Sequence, residues 1–169
     1  ETYKEIKLLS MFLNDFGSEL CHMPAHIPEE NPLDPENLTD LRYSVRHDGE
    51  RGYLFLNNYV RRYDMAHHKR LNIKIDLPNE TIHYPEFDLK DKEYYFYPFN
   101  MKIGDGILKT ALASPLCVLR NTTDSYVFYT DKDPMYDIEG DIGENKIITL
   151  SKEDGKNAYK VRFKKEHLI

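Results

Sequence analysis

Leu41-Arg-Tyr-Ser-Val-Arg-His-Asp-Gly-Glu-Arg-Gly-Tyr-Leu-Phe-Leu-Asn-Asn-Tyr-Val60 is the stretch on which the fold turns. From Leu41 to His47 apolar and polar side chains alternate, which is the period of a half-buried strand. Asp48-Gly-Glu-Arg-Gly52 is turn chemistry, because glycine reaches backbone conformations closed to other residues. Tyr53 to Val60 is crowded with aromatic and branched side chains that fit a pleated surface. Read together, the three pieces predict a β-hairpin.

The same period of two continues downstream. Leu71 to Leu77 alternates as Leu-Asn-Ile-Lys-Ile-Asp-Leu, Thr81 to Tyr84 is a short run, and Glu93 to Phe99 is aromatic-rich. Ile107 to Ala113, Leu116 to Leu119 and Tyr126 to Tyr129 are separated by Pro, Asn and Asp. Lys146 to Leu150 and Ala158 to Phe163 flank the turn-like Lys152-Glu-Asp-Gly155. Many short strands without a second helix-length pattern predict a mainly β fold, an antiparallel sandwich or jelly roll, rather than a βαβ unit.

Upstream the period changes. Ile6, Leu9, Leu13, Phe16 and Leu20 recur at three- and four-residue steps, and Leu8 and Phe12 widen the stripe. This predicts one N-terminal amphipathic helix within residues 1–23. Its apolar face is broad for a lone helix, so it is expected to dock on the β domain or to be buried between molecules. Pro24 to Pro35 is proline-rich and reads as a linker, residues 24–35, ahead of an antiparallel β domain at 36–169. The start at Glu1 and the apolar end Glu-His-Leu-Ile169 read as cuts in a longer polypeptide.

Composition narrows the function classes. The chain has 169 residues, 40% of them hydrophobic and 12% aromatic, which is enough apolar content to exclude a disordered segment. A formal net charge of -6 excludes nucleic acid as the expected partner, since that affinity comes from clustered cations. The basic cluster Arg61, Arg62, His67, His68, Lys69 and Arg70 is interrupted by Asp64 and reads as a solvated loop. No apolar run reaches the roughly 20 residues of a membrane span. Cys21 and Cys117 form no CxxC motif; their apolar neighbours favour buried free thiols, and a single bridge stays open.

Two groups of residues could face a ligand. Asn57, Asn58, Tyr59 and Arg61 close a strand with two amides, a phenol and a guanidinium, groups that can hydrogen-bond and stack on a sugar. They equally suit a strand end whose amides satisfy loop backbone. Tyr94, Tyr95, Tyr97 and Asn100 belong to the aromatic run at 93–100, which serves either as a sugar platform or as core and domain interface. No metal is expected: Cys21, His22, His26, His67 and His68 supply only fragments of a zinc set, and Pro134 and Met135 interrupt the acidic stretch Asp131 to Asp141. No cofactor motif, carboxylate pair or nucleophile elbow is readable either.

Tyr53-Leu-Phe-Leu-Asn-Asn-Tyr59, Pro98-Phe-Asn100 with Gly104, and Ala111-Leu-Ala-Ser-Pro-Leu116 occur in an order that resembles the family-35 β-galactosidases, in the segment after their catalytic barrel. Tyr3 to Gly17 looks like the helix that finishes such a barrel. The resemblance covers roughly the first 120 residues and implies a retaining glycoside hydrolase whose reactive glutamates lie on barrel strands before Glu1. No catalytic residue is therefore expected within this chain. It implies a non-catalytic β domain, with the catalytic barrel of the same polypeptide as partner, galactose-containing glycans as ligands of the parent, and an extracytoplasmic (periplasmic or secreted) location. The alternatives are an independent carbohydrate-binding module using Tyr59, Arg61, Tyr94, Tyr95 and Tyr97, or a protein-interaction β-sandwich.

Overall fold

A computed structural model of the chain describes residues 2–122, 124–142 and 147–157. An N-terminal helix, α1 (Thr2–Leu20), is followed by twelve strands and a short helix. The strands are β1 (Ala25–His26), β2 (Tyr43–His47), β3 (Gly52–Asn57), β4 (His68–Leu71), β5 (Lys74–Asp76) and β6 (Thr81–His83). Then come β7 (Phe87–Leu89), β8 (Tyr94–Ile103), β9 (Gly106–Ala111), β10 (Ser114–Leu119), β11 (Ser125–Tyr129) and β12 (Tyr136–Glu139), and last α2 (Lys152–Asn157). The main sheet runs β1-β2-β3-β8-β9-β12, all antiparallel, with the two-stranded pair β4-β7 and the hairpins β5-β6 and β10-β11 beside it. The protein is mainly β and sandwich-like, as the strand spacing predicts.

The central strands are buried on both faces, which is why β3 and β8 read as nearly continuous apolar runs. Leu54, Leu56, Tyr95, Tyr97 and Phe99 turn to one side, where Ile73, Ile75, Ile82 and Leu89 cover them. Tyr53 and Phe96 turn to the other, against Phe12, Phe16 and Leu20 of α1. The hairpin at 41–60 forms with Val45 opposite Leu54 and His47 opposite Gly52. A Cβ at Gly52 would lie 2.0 Å from the Arg46 carbonyl oxygen, so the turn that joins the strands admits only glycine there.

Pro98 sits in a central strand without breaking it. The Phe96 N–H points away from β3, to Ser114 Oγ at 3.3 Å, and the nitrogen of Pro98, two residues on, points the same way. Its missing donor is therefore not demanded by the β3 ladder, and the pairing of β8 with β9 begins only at Phe99. Asn100 has φ 50°, a left-handed conformation that Asn tolerates. The kink switches sides: Phe99 belongs to one core and Met101 to the other.

Within the proline-rich segment at 24–35, β1 pairs with β2 at the sheet edge. Three expectations are corrected. The run Leu71–Leu77 is divided between β4 and β5, with Arg70 left-handed (φ 51°) and a register shift between His68 and Leu71. The turn expected at Lys152–Gly155 is the start of α2, capped by Ser151, whose Oγ accepts the Asp154 N–H at 3.1 Å while its own N–H donates to Asp154 Oδ2 at 2.8 Å. Ile147 to Leu150 forms no strand, and the run at Ala158–Phe163 lies outside the described residues.

Candidate functional site

The helix divides into a covered and an uncovered half. Phe12 is 0% exposed, with its ring centroid 5.3 Å from Tyr53 and 4.5 Å from Phe96. Full burial of such a side chain contributes about 1.5–3 kcal/mol. Tyr3, Ile6, Leu9 and Leu13 are instead 78%, 56%, 45% and 44% exposed. Within the chain, the expected docking on the β domain holds for Phe12, Phe16 and Leu20 and not for Ile6, Leu9 and Leu13.

Ile6 and Leu9 form one wall of a groove of about 610 Å³. Ile27, Tyr43, Phe55 and Tyr129 supply much of the rest, so the lining is mostly apolar. Two of the polar groups along it, the Asn31 amide and the Arg42 guanidinium, are already used. Asn31 donates from Nδ2 to the Tyr43 carbonyl at 2.5 Å and accepts the Tyr43 N–H on Oδ1 at 3.2 Å, so one side chain stands in for a neighbouring strand. The Arg42 guanidinium donates to the carbonyls of Asn37 at 2.7 Å and Asp34 at 3.3 Å. Burial, with the Glu30 charge adding, pushes the Tyr43 phenol above its ordinary value. A groove of this kind takes apolar side chains more readily than a polyol, which needs free donors and acceptors.

The residues singled out in the sequence separate by depth. Asn57, Tyr94 and Tyr95 line the groove. Asn58 is 0% exposed; its Nδ2 donates to the Ala66 carbonyl at 2.8 Å and its N–H to the Glu93 carbonyl at 2.9 Å. It is a strand-end clamp, not a ligand-facing amide. Tyr95 and Tyr97 stack on each other in the core, 5.1 Å between centroids, with Tyr97 0% exposed. Burial pushes both phenols far above their ordinary range, with the Asp131 carboxylate adding; the Tyr95 hydroxyl donates to Asp131 Oδ1 at 2.8 Å. Asn100 ties the sheet to its neighbours, donating to the Glu50 carbonyl at 2.6 Å and to Glu80 Oε1 at 2.7 Å. Tyr59 and Arg61 remain on the surface. The groove residues Ile6, Leu9, Ile27, Tyr43 and Phe55 carry no polar signature, and their one trace in the sequence is the excess width of the helical stripe.

A second cavity, of about 430 Å³, brings two carboxylates of α1 together, Asp15 and Glu19. Hydrolysis of a glycoside needs one carboxyl group held protonated. Asp15 does the reverse: the Val118 N–H at 2.8 Å above all, then Arg120 at 2.6 Å, holds it below the ordinary 3.8 against the effect of burial. Glu19 accepts the Tyr53 hydroxyl and pairs with Arg51 at 3.5 Å. The pair pins α1 to the sheet and to β10.

Among the described residues no cluster of His, Cys, Asp or Glu is placed to hold a metal ion. No helix among them is long and apolar enough to cross a membrane. Cys21 and Cys117 are both free thiols, and Cys21 is exposed rather than buried. Comparison with protein-family models, with curated proteins and with solved structures gave no match.

Proposed function

We propose that this chain is a non-catalytic β domain of a β-galactosidase-like glycoside hydrolase, and that it seats the catalytic barrel of the same polypeptide on the groove and the bare half of α1. One observation carries this reading: an uncovered apolar row, Tyr3, Ile6, Leu9 and Leu13, runs beside an apolar groove whose rim amide and guanidinium are already bonded. At about 25 cal/mol per Å², such a surface gains by being covered. The resemblance of residues 41–61 and 95–117 to family-35 enzymes supplies the neighbour. On this reading the reactive glutamates belong to the barrel, the glycan is bound mainly there, and the protein works outside the cytoplasm, as exported relatives of that kind do. The independent sugar-binding alternative loses Tyr97, whose side chain is fully enclosed in the core.

The test is hydrolysis of an aryl β-galactoside. The isolated chain is expected to release no more phenol than buffer, whereas the polypeptide that joins it to the preceding barrel turns over. Turnover by the isolated chain at a rate near that of the joined polypeptide would overturn the reading.

A further inference from the structure

The loop that follows β3 has its two ends fastened and its middle bare. At one end Asn58 is fully buried, holding Ala66 through Nδ2, Glu93 through its N–H and the Lys92 N–H through its carbonyl at 2.9 Å. At the other end Met65 is 6% exposed and its N–H donates to Asp91 Oδ1 at 2.9 Å, while the Ala66 N–H donates to the Leu38 carbonyl at 2.9 Å. Between these anchors Tyr59 and Tyr63 are 46% and 52% exposed, with Arg61 and Arg62 exposed between them. Arg62 is held at φ 73°, in the left-handed region.

These two arginines differ from the others among the described residues. Arg42 and Arg46 donate to backbone carbonyls, and Arg51, Arg70 and Arg120 pair with carboxylates. Among the described residues neither Arg61 nor Arg62 has a hydrogen-bond or ion-pair partner within the fold. Asp64, the acidic residue that interrupts the basic run, is met by Lys92 Nζ at 3.5 Å. The loop therefore presents two unanswered positive charges on a chain of formal net charge -6.

We infer that the loop at 59–63 is a recognition loop for a protein surface bearing carboxylates, flanking the apolar groove. Asn57, the residue before the buried Asn58 anchor, lines that groove, so the loop starts at its edge. An apolar centre flanked by tyrosine and arginine is the composition that protein interfaces favour, and those two residue types dominate their binding energy. Anchored ends lower the ordering cost of binding. The free guanidiniums select an acidic partner and repel a basic one. The inference rests on the proposed function in one respect, that the partner is the domain seated on the groove.

The experiment reverses the loop charges, Arg61→Glu with Arg62→Glu, in the isolated chain and in the polypeptide joined to the neighbouring domain. The exposed pair is expected to leave the melting temperature of the isolated chain unchanged. In the joined polypeptide, protease cleavage between the domains is expected to speed up about tenfold, and about 1 M salt, with a Debye length of about 3 Å, should bring the wild type toward the variant. Leu9→Asp is run in parallel. If Leu9→Asp releases the junction and the charge reversal does not, the loop inference falls and the docking reading stands. If neither does, both fall. If the junction ignores salt and charge while a galactosyl oligosaccharide shifts the Tyr59 and Tyr63 resonances of the isolated chain, the loop is a sugar site and the inference is wrong.

Discussion

The two halves of α1 are built from the same kinds of residue and meet different fates. Phe12, Phe16 and Leu20 are sealed in one core with Tyr53 and Phe96, and the carboxylates beside them are tied to β10 and to the β2–β3 turn. Before Phe12, Ile6 and Leu9 look onto an open groove, with Leu13 left bare beside the sealed row. A helical period shows which face of a helix is apolar and says nothing about what covers it. On the proposed function, the surplus over what this fold covers is the seat of the neighbouring domain.

Paired truncations sharpen the contrast most. Phe12→Ala is expected to cost about 3–5 kcal/mol in urea unfolding of the isolated chain, since it opens a cavity against the rings of Phe16, Tyr53 and Phe96. Leu9→Ala should change stability by no more than about 0.5 kcal/mol, because the side chain has little to lose there. Equal losses at the two positions would erase the distinction.

Asp15→Asn comes next, at about 1.5–3 kcal/mol, through the weakened bonds to the Val118 N–H and to Arg120. Its pH dependence follows from the lowered carboxyl. The stabilisation is complete above the ordinary value of 3.8 and disappears as pH falls through the lower folded value. The variant's unfolding free energy should therefore fall less than the wild type's below about pH 4, with pH-dependent urea midpoints as the measurement.

A smaller contrast lies between two hydroxyls. Tyr53→Phe removes the bond to Glu19 in the docked half and should cost about 0.5–1.5 kcal/mol. Ser10 Oγ donates to the Ile6 carbonyl at 2.8 Å in the bare half, and Ser10→Ala should be neutral or slightly stabilising, since alanine is the better helix former.

The smallest effect is expected where the chain leaves the helix. His26 and His47 stack at 4.2 Å, and burial first, then the His26 charge, lowers His47 from its ordinary 6.5, with Asp48 opposing. The neutral ring is favoured by folding, so its contribution is whole above 6.5 and is lost as pH falls through the lower folded value. His47 Nδ1 also accepts the Gly49 N–H at 3.1 Å, a bond that protonation removes. Protection factors against amide exchange at Val45 and Arg46 should fall in that window while that at Phe16 stays constant.

Much of the β architecture can be read in the chain, and the hairpin at 41–60 most clearly, because its strands carry opposite patterns joined by a turn that only glycine fits. β12 is hidden in the acidic stretch, since an edge strand such as Tyr136–Glu139 needs no apolar alternation. β1 is two residues long, too short to have a period. At the candidate site, Asn57 and Asn58 are identical in type, and only the tertiary path of the loop decides that one lines the groove and the other is fully enclosed. The aromatic run at 93–100 likewise does not reveal which rings turn inward until β3 and β5–β6 are placed against it.

Side-chain oxidation footprinting of Tyr3, Ile6, Leu9 and Leu13, in the isolated chain and in the polypeptide joined to its neighbouring domain, tests the central claim most directly. Covering of the bare half predicts at least tenfold slower labelling of these four side chains on joining, with Phe12 equally protected in both. Unchanged labelling of Leu9 and Leu13 would contradict it.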